Sequence, residues 1–96
     1  MRKYEVMYIV RPTVETEARK ALIEELNAIL TTRGTPAVIV NEWGTKELAY
    51  EIDDFKKGYY VVLTFQGTVE GVNELDRVIG IKETILRHII ISREEK

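Results

Sequence analysis

The chain has no cysteine among its 96 residues, which excludes a disulfide framework and any thiolate metal site. It has one histidine, His88, and one serine, Ser92. Four residues along an extended strand separate them by about 13 Å, too far for a base to activate a nucleophile. A single histidine leaves a transition metal almost without ligands. The adjacent acids Asp53–Asp54 and Glu94–Glu95 lack the spacing of a calcium loop. The six glycines form no phosphate-cradling motif. Neither catalysis, a cofactor nor a metal is expected.

Long hydrophobic runs are missing too. No stretch approaches the ~18 apolar residues of a membrane span. The start, MRKYEVMYIV, is interrupted by Glu5 and followed by Pro12, too short and too polar for a secretory signal. A cytoplasmic location is the default expectation. Positive charge is also scarce: 14 Lys and Arg face 16 Asp and Glu, for a net charge of −2. Coating nucleic acid without specificity needs many cations, so any RNA contact must come from a local patch.

What remains is 45% hydrophobic and 31% charged, the composition of a globular domain. Residues 1–96 are expected to form a single domain, since the chain is too short for a second core. Lys3 to Val10 reads as a first strand. Thr13 is placed to cap a helix over 14–33, with Ala18, Leu22, Leu26, Ile29 and Leu30 as its apolar stripe. Glu15 and Arg19 form an i,i+4 pair on it, and Arg33–Gly34 stops it. A second strand runs from about Ala37 to Ile52, with a bulge or bend expected at Gly44. DDFKKG reads as a hairpin turn and Tyr59 to Phe65 as the third strand. Thr68 caps a second helix with Val69, Val72, Leu75, Val78 and Ile79 inward and Gly80 at its end. Ile85 to Ser92 is the fourth strand.

The order strand, helix, strand, strand, helix, strand predicts an α+β fold built from two interleaved split β-α-β units. This is the ferredoxin-like sandwich, a four-stranded antiparallel sheet of order 4-1-3-2 with two helices on one face. The fold hosts many functions and decides none.

KKGYYVVLTF, residues 56–65, resembles the signature of an RNA-recognition strand: a basic residue, a glycine, then alternating aromatics. Lys57, Gly58, Tyr59 and Val62 match it, but Val61 and Thr64 stand where stacking rings belong. The motif fails, and Gly58 is assigned to the turn. A different signal survives. The predicted strand order brings Arg2 and Lys3 beside Arg93, with Arg87 further along the same neighbour. Arg87, Ile89, Ile91 and Arg93 share one face by period two, and His88 and Ile90 share the other. His88 fits a pH sensor, a base-stacking ring or a satisfied histidine between apolar neighbours. The face away from the helices should be polar if it met only water. One assignment instead leaves Met7, Ile9, Tyr60, Val62, Ile89 and Ile91 there, an apolar patch of the kind that marks a partner.

With these stretches in place, the whole chain resembles the bacterial family of small-subunit ribosomal protein six. MRKYEVMYIVRP, EWGTKELAYEI at 42–52, KKGYYVVLTF and ILRHIIISREE carry the resemblance, in order and at matching spacing. It implies the same ferredoxin-like fold and a place on the central domain of small-subunit ribosomal RNA. It also implies a heterodimer with small-subunit ribosomal protein eighteen, which binds RNA as a unit, and no cofactor. The start motif nominates Arg2 and the fourth-strand motif Arg87 as RNA contacts. Lys3, Lys56 and Arg93 join them by charge and neighbourhood. After the Trp-Gly pair the family's basic run reads Thr45, Lys46, Glu47 here, so contact at that point rests on Lys46. The competing reading is a ferredoxin-like regulatory or small-molecule domain that homodimerises through its sheet. Such a domain has no need of basic residues paired at adjacent strand ends.

Overall fold

A computed structural model describes residues 1–93. Its elements are β1 (Arg2–Val10), α1 (Thr16–Thr31), β2 (Val38–Ile52), β3 (Phe55–Gly67), α2 (Val69–Ile81) and β4 (Ile85–Arg93). The sheet is antiparallel in the order β2-β3-β1-β4, the ferredoxin-like arrangement expected. Glu94 and Glu95, the second of the acidic pairs named above, lie outside the described residues.

Strand β1 is central, and its alternation sorts the molecule into two sides. Tyr4, Val6, Tyr8 and Val10 join Val61, Leu63 and Phe65 of β3 in the core. Leu22, Ile23, Leu26 and Leu30 of α1 and Val72, Leu75 and Ile79 of α2 cover them. Each fully buried aliphatic chain here contributes about 1.5–3 kcal/mol. Ile23 belongs to the stripe, whereas Ala18 and Val69, expected to face inward, are exposed. Both sit in the first turn of their helix.

The helix ends differ in detail from expectation. Thr13 does not cap α1; the N-cap is Glu15, without a side-chain bond, because Val14 N–H is tied to the Arg11 carbonyl in a preceding turn. Arg19 leaves Glu15 for the Tyr59 ring, 3.7 Å from its centroid. The exit follows the rule for glycine stops: Gly34 takes φ +95° and Thr35 N–H reaches back to the Leu30 carbonyl. Thr68 does cap α2, its Oγ1 accepting from Gly71 N–H at 3.0 Å. Gly80 lies inside α2, which continues to Ile81 before Lys82 closes it.

The β2–β3 hairpin is tighter and longer than the sequence indicates. Its turn is only Asp53–Asp54, with φ of +50° and +68°, and Ile52 already pairs with Phe55. Two successive left-handed residues suit the right-handed twist of a hairpin, and aspartate tolerates that region. Lys56, Lys57 and Gly58 therefore belong to β3. The position of Gly58 answers to close packing rather than to the turn: a Cβ there would lie 2.3 Å from Ile9 Cγ2. That methyl is held by a stiff branched side chain. Gly58→Ala is expected to destabilise the protein by about 1–3 kcal/mol in urea unfolding. With Ile9→Ala in the same chain the two losses should be clearly less than additive; simple additivity would place the strain elsewhere.

Candidate nucleic-acid and protein interface

The face opposite the helices is laid out in rows by the strand registers. Ile39, Thr64, Glu5 and Ile91 form one row, and Asn41, Val62, Met7 and Ile89 the next. The third holds Tyr60, Ile9 and Arg87, with Trp43 completing it from β2. Lys46 opposite Gly58 opens the hairpin arm, and Lys3 opposite Arg93 closes the other end. The sequence alone leaves the outward parity open; the registers place Met7, Ile9, Tyr60, Val62, Ile89 and Ile91 on this face. Its members differ in accessibility, however. Ile89 and Ile91 are 47% and 45% exposed, while Ile9 and Val62 are 5% and 6% exposed under their neighbours. Met7 and Tyr60 are half-buried, while Ile9 and Val62 lie beneath the surface.

Three exposed residues were missed by sequence reasoning: Ile39, Trp43 and Tyr50. Trp43 depends on the bulge. Glu42 pairs with Val61 and Gly44 with Tyr60, so Trp43 is the extra residue, and Gly44 takes φ +85°. Plain alternation would put residues 43 and 46 on opposite faces. The inserted residue resets the parity, and Trp43 and Lys46 meet on the same face. The Trp43 ring lies nearly parallel to Tyr60, 8° apart with centroids at 6.4 Å, and Lys46 Nζ is 5.9 Å from the indole centre.

The nominated cations form two groups, not one. Lys3 and Arg93 are directly opposite each other, and Arg93 holds Glu5 at 3.4 Å. Arg2 precedes them with the parity of the core residues, on the other side of the sheet. Arg87 is six residues from Arg93, about 20 Å along the strand, at the end of the sheet where Lys46 and Lys56 begin the arm. Tyr50 reaches back from the arm to Arg87: the guanidinium sits 5.2 Å from its ring and donates to its hydroxyl. Two basic ends bracket an apolar middle.

The helix side has its own polar features. His88 Nε2 is 2.6 Å from Asp76 Oδ1 of α2, so its ring has a polar partner on the helix side of the sheet. The Tyr59 hydroxyl donates to Glu42 Oε1 at 2.9 Å. Desolvation, with that bond and the Glu42 charge, raises the Tyr59 pKa despite the opposing Arg19 cation. Tyr8 is fully buried and its hydroxyl has no hydrogen-bond partner among the described residues. Burial first, and the Glu42 carboxylate second, push its pKa well above the usual tyrosine range. Among the described residues no group of three or more acidic or histidine side chains could hold a metal ion. No described helix is long and apolar enough to cross a membrane.

The profile of the family described as ribosomal protein S6 matches residues 3–92. The chain belongs to the ribosomal protein S6 family. A crystal structure of 30S ribosomal protein S6 from Thermotoga maritima superposes with a TM-score of 0.86 at 30% identity, covering 96% of this chain and 87% of that one. A protein of Arabidopsis thaliana superposes with a TM-score of 0.65 at 12% identity over 100% of this chain and 96% of its own, a likeness of fold alone. Membership of the S6 family makes this chain a small-subunit ribosomal protein, a structural component rather than an enzyme.

The Tyr8 hydroxyl supplies a direct test of the core. Folding favours its protonated form, so that contribution is intact below the unfolded tyrosine pKa near 10 and is lost as pH rises above it. Tyr8→Phe is expected to change stability at neutral pH by less than about 1 kcal/mol, since no bond is lost. It should also blunt unfolding above about pH 10 in a denaturation series. A loss well beyond that at neutral pH would mean the hydroxyl is bonded.

Proposed function

We propose that the chain binds the central domain of small-subunit ribosomal RNA as a heterodimer with small-subunit ribosomal protein eighteen, in the cytoplasm. The observation that carries this reading is the open sheet face, an apolar middle between two basic ends in a chain of net charge −2. Met7, Ile89 and Ile91, bordered by Tyr60, offer a protein partner the surface it needs. Lys3 and Arg93 at one end, and Arg87, Lys46 and Lys56 at the other, face RNA phosphates, with Arg2 at the strand start. The chain's own charge is too small for tight RNA binding, so the partner supplies the missing cations.

Adding the partner is expected to raise affinity for the RNA junction at least tenfold, about 1.4 kcal/mol. Ile89→Asp should abolish that gain while leaving the melting temperature nearly unchanged, because Ile89 is half exposed. Equal affinity with and without the partner would contradict the heterodimer.

Arg2→Ala with Arg87→Ala should weaken binding of the assembled heterodimer with little effect on thermal stability. Exposed charges usually contribute less than about 1 kcal/mol. For each phosphate contact removed, the slope of log affinity against log salt should fall by roughly 0.7 to 0.9. An unchanged slope would leave both arginines as solvated charges, and a lowered melting temperature would give them structural roles.

A further inference from the structure

We infer that the Trp43–Tyr60 pair is a stacking platform for an unpaired RNA base, a specific subsite within the RNA-binding reading on which it rests. The recognition-strand motif fails as a linear pattern because β3 alone lacks the rings. The fold restores part of it by another route, since the bulge at Gly44 brings a ring from β2 beside Tyr60 of β3. Trp43 is 53% exposed, so indole surface remains open above a pair already aligned within 8°.

The surroundings favour a nucleotide over an apolar side chain. Asn41 stands in the row on one side of Trp43 and Lys46 beyond it on the other. The Lys46 ammonium at 5.9 Å from the indole centre is placed for the phosphate of a base lying on the ring. Lys56 and Arg87 add cations toward the same end of the face. The one carboxylate in the rows described above, Glu5, lies toward the other end and is paired with Arg93. Of the exposed aliphatic side chains on this face, Ile89 and Ile91 are on β4, two strands from Tyr60 and three from Trp43, and Ile39 lies on β2 beyond Asn41. Protein and base therefore meet at Tyr60, with the protein on the β1–β4 side of it and the base on the β2 side. Any base presents a π-face, so stacking is expected to be tolerant of sequence but to require a single strand.

Trp43 is the only tryptophan of the chain, so its fluorescence reports the platform alone. The full chain would be titrated at low salt with a mixed-sequence single-stranded RNA oligonucleotide. The same strand carrying abasic residues, and its blunt duplex, would be run in parallel. The intact strand should quench the fluorescence, and the abasic strand should bind about tenfold more weakly without quenching. Trp43→Ala should cost about tenfold for the intact strand and nothing for the abasic one, while Trp43→Phe recovers most of the loss. Equal affinity for intact and abasic strands without quenching would overturn the platform and leave phosphate contact by the cations standing. Binding of no strand at low salt would overturn it as well. So would quenching by the isolated protein partner together with exclusion of the strand, since a polypeptide would then occupy the rings. The gain in affinity on adding the partner, and its loss in Ile89→Asp, test the heterodimer independently of every one of these results.

Discussion

Strand β1 has a neighbour on each side and must satisfy both with the same alternation. Its even-numbered residues from Tyr4 to Val10 enter the core, so Lys3, Glu5, Met7 and Ile9 are committed to the other face. Pairing with β3 and β4 then propagates that choice outward. Val61 opposite Tyr8 goes in, Val62 opposite Met7 goes out, and Ile89 beside Met7 follows. A slip of one residue would reverse every side chain. The helices cover one face only, which leaves an uncovered surface carrying more apolar area than water contact alone would favour. The open apolar face is a consequence of the register.

The hairpin arm departs from that regular plan at two places. At Gly44 one additional residue resets the parity of β2, and at Asp53–Asp54 a two-residue turn lengthens the arm beyond the end of β1. Arginines from three other parts of the chain hold it through aromatic rings. Arg11 after β1 lies 5.6 Å from the Phe55 centroid and 3.7 Å from Asp53, Arg19 of α1 covers Tyr59, and Arg87 of β4 covers Tyr50. Contacts of this kind contribute about 0.5–1 kcal/mol each where exposed. Together they fix the direction of the arm, and hence of Lys46 and Lys56, more than they stabilise the fold.

Much of this was legible in the sequence. Strand order, the parity of β4, the Thr68 cap and the Gly44 irregularity follow from local rules that tertiary packing did not override. The sharing of one face was legible for the same reason, since Met7, Ile89 and Ile91 keep strict alternation, but which face lies open was settled only by the register and the helices. What the sequence concealed arises where residues distant in the chain meet. The burial of Ile9 and Val62, the packing of Ile9 on Gly58 and the Tyr50–Arg87 contact all join residues of different strands. Trp43 was hidden by a single unit of parity, because a bulge can be read from glycine but its effect on the following residues cannot. Glycine before two tyrosines looked like turn chemistry, and only the register shows the neighbour that excludes a Cβ.

The central claim is that the open sheet face, and not the helical face, is the buried side in the assembled small subunit. Hydroxyl-radical footprinting of the free chain against the same chain in ribosomal particles measures that directly. The account predicts strong loss of reactivity at Met7, Tyr60, Ile89 and Ile91. Solvent-facing residues of α1 such as Glu17, Lys20 and Glu24 should keep theirs. Protection along α1 with Ile89 and Ile91 still reactive would contradict it.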